Sequence, residues 1–187
     1  LSEMLFRSLF TKHPYRRAVI GTEALVRGFS REKLHSFYKT HYHPANMSLG
    51  ICGNVDEAQL NAAIEKLFAP QRSRPQAMVN IPRESSSLKT GIVHQTMAIQ
   101  ATYFDIGFKT PPLGHSDVTA LDMLSHLLGE GATSLLEQNT KEKEGLVNYI
   151  YSGNYSPRFE GAFVIGGQLP LENLEKTLAS VQTQIEI

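Results

Sequence analysis

Apolar positions along the chain switch repeatedly between helical and strand periods. Over residues 1–10, Leu1, Leu5 and Leu9 recur every four residues beside Met4, Phe6 and Phe10, which predicts a helix whose apolar side chains spread over more than one face. Such a helix needs cover that a single contact cannot give. From Ser30 to Asp56 the spacing predicts a helix, a corner and a strand. Ser30 is placed to cap the first turn, and Leu34, Phe37, Tyr38 and His41 form one buried face. Pro44 stops the helix by pushing His43 out of helical geometry. Met47 to Cys52 then reads as a strand closed by Gly53-Asn54, and Asp56 caps a further helix over Glu57 to Phe68, with Leu60, Ala63, Ile64 and Leu67 inward.

Periodicity fails from Ala69 to Thr90, where Pro70, Pro75, Pro82 and Ser85 to Ser87 mark a connector. The β-branched and aromatic run GIVHQTMAIQATYFDIGF (91–108) reopens as strand. Ser116 or Asp117 then caps a helix with Val118, Leu121, Leu124, Leu127 and Leu128 on one stripe, stopped by Gly129. A second helix opens at Thr133 or Ser134 and ends at Gly145. Val147 to Tyr155 and Gly161 to Leu169 are two strands around Ser156-Pro157. Pro170 suits the first turn of a last helix carrying Leu174, Leu178, Val181 and Ile185 on one side. Burying those four contributes about 1.5 to 3 kcal/mol each. The order predicts an α+β fold, an antiparallel sheet with helices packed on one face. The expected division is 1–68, a connector over 69–90, and a second domain over 91–187.

Charge narrows the function classes. Eighteen basic residues balance eighteen acidic ones, so the whole chain shows no electrostatic footprint for nucleic acid or an anionic membrane. No apolar run approaches the roughly 20 residues of a membrane span. The 41% of hydrophobic residues suffice for a core. Cys52, the single cysteine, excludes an internal disulfide and reads as a small buried strand residue. The start at Leu1, without methionine or signal-like segment, reads as a processed or partial chain.

His35, His41 and His43 are the densest histidine group, but two lie well apart around one helix and the third precedes a corner proline. They do not converge as tetrahedral ligands must. Asp122, His126 and Glu130 share a four-residue spacing that serves a metal or, as read here, an ordinary solvated ion pair. Gly129 to Ser134 has no P-loop lysine, and a helix stop and restart explains its glycines. Asn46 is placed to bond local backbone in the turn.

Several sequence words recur together: HPYRRAVIG at His13 to Gly21, the Ser30 to Asp56 unit, Gly107 to Pro112, His115-Ser116-Asp117, LLGEGATSLLEQNTKEKEGLV at 127–147, and Gly161-Ala162-Phe163. In this order they resemble the pitrilysin or insulinase-type inverted zinc metallopeptidases, relatives of the mitochondrial processing peptidase. The resemblance implies that residues 1–68 end a first peptidase-like domain and 91–187 form a second, non-catalytic one. In that family zinc is held by a His-x-x-Glu-His helix and a further glutamate upstream of the His-Pro-Tyr words, and none of the seven histidines here begins such a motif. The implied segment therefore holds no catalytic residue, metal ligand or cofactor of its own, while zinc is expected for the parent protein.

The family's substrate-contacting arginine and tyrosine, seven residues apart, frame the Gly-Leu that is Gly145-Leu146 here. Lys141 and Asn148 stand at those positions. Lysine keeps the charge without the planar fork, and asparagine loses the phenol. Tyr149 comes one residue late, on the other side of a strand. Lys141 and Lys143 also suit a helix C-terminus, where cations complement the dipole. The resemblance implies peptide or unfolded polypeptide as substrate, lying along a sheet edge, with the missing first domain, a partner subunit or a second copy as partner, and no nucleic acid. It leaves open a metal-free partner or scaffold subunit of the same fold. The setting it implies is soluble, in bacterial cytoplasm or periplasm.

Overall fold

The computed structural model describes residues 1–69, 80–84 and 90–186. Two compact units emerge, Leu1–Ala18 together with Ile81–Ile187, and Val19–Asn80. The sequence expectation kept 1–68 together. Most of the expected connector, with Pro70, Pro75 and Ser85 to Ser87, lies outside the described residues.

In the larger unit three antiparallel strands form a sheet in the order β1-β3-β2, with β1 at Thr102–Thr110, β2 at Tyr149–Tyr155 and β3 at Gly161–Leu169. β1 pairs from Thr102 opposite Leu169 to Thr110 opposite Gly161, and β2 pairs from Tyr149 opposite Gln168 to Tyr155 opposite Ala162. The fold is α+β. Because side chains alternate along a strand, Phe104, Ile150, Phe163 and Ile165 share one face with Leu128, Leu136, Val147, Leu169 and Val181, and together they make the main core. That face is covered by helix α5 (Val118–Gly129), by a π-helical segment at Glu137–Lys143, and by helix α6 (Leu174–Ile185). β3 lies centrally because its GAFVIGGQL sequence carries no charge and can be buried on both sides.

Helix α1 (Ser2–Leu9) packs on the opposite face. Leu5 and Leu9 lie over Gly107, while Leu9, Phe10 and Ala162 form a second apolar cluster with Phe6, Tyr15 and Val164 around it. The expectation that this helix outruns the cover available in the chain is thus corrected for Leu5, Phe6, Leu9 and Phe10. Glu84 fixes the segment that follows. Its Oε2 accepts the backbone N–H groups of Thr11, Lys12 and His13 at 2.9, 2.8 and 3.0 Å, and its Oε1 accepts the Thr11 hydroxyl at 2.7 Å. These bonds join positions more than seventy residues apart in the chain and, with the packing of α1 on β1, tie Leu1–Ala18 to Ile81–Ile187. His13 is almost fully buried against Phe10, Tyr15 and Phe159 and caps its turn by accepting the Tyr15 N–H at 3.2 Å.

Two helices bury a different stripe from the one their leucines suggest. On α5 the inward positions are Leu121, Ser125 and Leu128, whereas Leu124 and Leu127 are exposed. The cause is the close approach of α5 to β2. A Cβ on Gly129 would fall 2.2 Å from the Ser152 backbone nitrogen, and Ser152 Oγ donates to the Ser125 carbonyl at 2.8 Å. Gly129 is therefore needed for packing as well as for ending the helix. On α6, Thr177, Ser180, Val181 and Gln184 are buried, while Leu178 and Ile185 are exposed. Here the π-helical segment presents polar partners: Thr140 and Ser180 hydroxyls meet at 2.9 Å, and Asn139 Nδ2 donates to Gln184 Oε1 at 2.7 Å.

The smaller unit contains α2 (Glu23–Arg27), α3 (Arg31–His41) and α4 (Glu57–Phe68). Ser30 and Asp56 cap α3 and α4 as the sequence requires, accepting the N–H groups of Lys33 and Gln59. The buried face expected for α3 is absent, since Leu34, Phe37 and Tyr38 are each more than half exposed. The strand expected at Met47 to Cys52 is not formed either, and Cys52 is exposed rather than buried. A strand exists only where a neighbour takes up its backbone N–H and C=O groups, and no described residue pairs with this segment. Residues 91–101 are likewise not strand; the first strand begins at Thr102.

Candidate functional site

Lys141 lies in the π-helical segment, whose wider turn sets Thr140 fully inside against α6 and leaves Lys141 and Lys143 outward. Such turns often mark functional positions in helices. Lys141 Nζ pairs with the Glu137 carboxylate one turn earlier, and Glu142 lies 4.0 Å away. The Glu137 hydrogen bond, the larger effect, holds the lysine above its usual pKa, so it stays a firm cation. Lys143 instead donates to Asn139 Oδ1 at 2.8 Å. Gly145, at φ +63°, turns the chain out of the helix, and Val147 plugs it into the core.

Asn148 follows at the mouth of β2, its side chain exposed and its backbone N–H donating to the Gln168 carbonyl at 2.8 Å. Tyr149 then opens β2 opposite Gln168. The two positions singled out in the sequence are thus a helical cation held by Glu137 and an exposed amide where β2 begins. Beyond them runs the outer side of β2, which no described strand pairs; β1 forms the other border of the sheet. An open strand edge offers backbone donors and acceptors to an extended peptide.

The histidine groups resolve into local contacts. His35 is exposed, His41 packs on Phe37 at 4.3 Å, and His43 is buried at the corner, where Asn46 Nδ2 donates to the His41 carbonyl at 2.8 Å. His126 pairs with Glu130 on the surface of α5, while Asp122 accepts from Asn154 Nδ2 at 2.8 Å and so does not join them. Among the described residues no three His, Cys, Asp or Glu side chains are placed to hold a metal ion. The described residues do not fit a zinc site. No helix among the described residues is long and apolar enough to cross a membrane.

Sequence reading missed one feature, the solvent face of the sheet beyond α1. Tyr103, Gln168 and Tyr149 form one row across the three strands, and Asp105, Gly166 and Tyr151 the next. The alternation of polar or aromatic with apolar residues in YFDI and YIYS was the available signal, since alternate residues of a strand share a face.

Comparison with known proteins places these features in a family. The profile described as peptidase M16 inactive domain matches residues 28–186. An uncharacterized zinc protease of Mycobacterium leprae is 32% identical over 155 residues, covering 81% of this chain and 35% of the relative. Zinc protease PqqE of Helicobacter pylori is 25% identical over 190 residues, covering 97% of this chain and 42% of the relative. The chain thus spans less than half the length of these relatives. Among solved structures, a peptidase M16 inactive domain from Pseudomonas fluorescens superposes with a TM-score of 0.86 at 24% identity, over 97% of this chain and 44% of that one.

Proposed function

The chain belongs to the peptidase M16 inactive domain family, and on that premise we propose that it is the non-catalytic wall of a peptide-binding chamber in a zinc metalloendopeptidase acting on peptides or unfolded polypeptides. The observation that carries this reading is the family match over residues 28–186, which spans the open β2 edge and both Lys141 and Asn148. Relatives named as zinc proteases support a catalytic zinc in the parent protein, where it would activate a water for attack on the peptide bond. This chain's own part is to bind and orient. The outer edge of β2 takes an extended segment by backbone pairing, with little demand on its sequence. Lys141 supplies a positive charge seven residues before Asn148, which supplies, where β2 begins, an amide that donates and accepts.

Lysine and asparagine at these two places favour a second reading, a metal-free partner or scaffold subunit of the same fold, because neither offers the fork or the ring that grips a peptide in the enzymes. Restoring that pair tests the proposal. The double variant Lys141→Arg, Asn148→Tyr should bind an unstructured peptide about tenfold more tightly than the natural chain, the gain of one bidentate contact. Unchanged affinity in a folded double variant would remove Lys141 and Asn148 from the substrate path.

A further inference from the structure

The two-row patch on the solvent face of the sheet has the chemistry of a cation site. Tyr149 and Tyr151 lie side by side on β2, ring centroids 6.5 Å apart and 22° from parallel, and both keep about two-fifths of their surface exposed, as does Tyr103 on β1. Between them Gly166 forms the floor. A Cβ there would come 2.2 Å from Asp105 Oδ1 and 2.6 Å from the Tyr151 hydroxyl, so only glycine lets Tyr151 lean across β3 and donate to Asp105 at 2.8 Å. Gln168 closes the upper end, donating to the Tyr103 hydroxyl at 3.4 Å. Helix α1 closes the lower end, over Gly107 and Val164.

From this geometry we infer that Tyr103, Asp105, Tyr149 and Tyr151 bind the cationic side chain, arginine or lysine, of an extended peptide. The inference rests on the reading of the chain as a peptide-binding wall and names a side chain that the wall selects. Charge complementarity chooses the occupant. The two rows contain three phenol rings, one amide and one carboxylate, and no cationic side chain. An anionic ligand would meet Asp105, and an apolar one would further desolvate that half-buried carboxylate, which accepts from the Tyr151 hydroxyl, without adding a partner to it. A guanidinium or ammonium satisfies both parts, lying against ring faces while its N–H groups reach the remaining Asp105 oxygen. Lys109, two rows down the same face, lies over the Phe10 ring, 5.8 Å from its centroid. Burial, the largest effect, raises the Asp105 pKa, and the hydrogen bond from the Tyr151 hydroxyl acts the other way.

The test titrates the chain with acetyl-Ala-Ala-Arg-Ala-Ala-amide and with the same peptide carrying citrulline, which keeps the shape of arginine and removes its charge. Amide NMR shifts of Tyr103, Asp105, Tyr149 and Tyr151 report on the patch, with tyrosine fluorescence, to which three of the seven tyrosines contribute from the patch, as second readout. The arginine peptide should bind about tenfold more tightly than the citrulline peptide. Asp105→Asn and, separately, Tyr149→Ala should bring that ratio toward one. Both positions face solvent, and if one variant failed to fold the other would still decide. Equal binding of the two peptides, with shifts along the β2 edge, would overturn the cation site and leave the wall intact. No shift with either peptide would overturn both.

Discussion

The Tyr151 hydroxyl donates to Asp105 Oδ1 at 2.8 Å across the bare backbone of Gly166, joining the two outer strands of the sheet over the central one. Burial, the largest effect, raises the Asp105 pKa, opposed by this hydrogen bond. Folded Asp105 therefore holds its proton to a higher pH than the unfolded chain, whose carboxyl titrates near about 3.9. In the window between those two values the folded state binds more protons, so this residue's contribution to stability falls as pH rises and stays lost above the folded value. Asp105→Asn keeps an acceptor for Tyr151 and removes that penalty. Urea unfolding should give the variant a midpoint no lower than wild type at pH 7, with the advantage vanishing near about pH 4. A variant clearly less stable at pH 7 would show that the charged carboxylate is a net stabiliser.

Leu127 and Leu128 adjoin in the chain and differ completely in environment, at 63% and 3% exposure. Leu128→Ala should cost about 2 to 5 kcal/mol, and Leu127→Ala within about 0.5 kcal/mol of nothing, by denaturant unfolding. Equal losses would restore the broad leucine stripe that the sequence suggested.

That contrast shows what the sequence made legible. β2 and β3 were readable because alternation, Pro157 and the flanking glycines act within a few residues; β3 matches its expected limits and β2 begins two residues late. Helix caps at Ser30 and Asp56 were readable for the same reason. The inward stripe of α5 was not, because it depends on Ser152, a residue on another strand that meets α5 beside Gly129. The α6 stripe turns likewise toward Thr140 and Asn139, whose positions follow from a π turn that apolar spacing does not encode. Met47 to Cys52 has strand composition, yet pairing needs a neighbour and composition does not supply one. Of the candidate site, Lys141 and Asn148 came from family words, whereas Tyr103, Asp105 and Tyr151 converge only through the register of β1 and β2 on β3.

Glu84 carries four hydrogen bonds to the segment Thr11 to His13, three of them from consecutive backbone N–H groups. Removing its carboxylate should loosen that segment without melting the sheet. In Glu84→Ala, hydrogen exchange at Thr11, Lys12 and His13 should accelerate at least about tenfold, the equivalent of one lost hydrogen bond of about 1.4 kcal/mol, while β3 amides keep their protection. Unchanged exchange at these three amides would mean that α1 and the buried His13 hold the segment alone.

The proposed division of labour, binding here and bond cleavage elsewhere, meets its most direct test in one mixture. The chain, dialysed against a weak chelator, is incubated with an unstructured quenched-fluorophore peptide while binding, cleavage and bound zinc are all recorded. The account predicts saturable binding, intact peptide and zinc far below one ion per chain. Cleavage that rises and falls with zinc bound to this chain, or a peptide that does not bind at all, would contradict it.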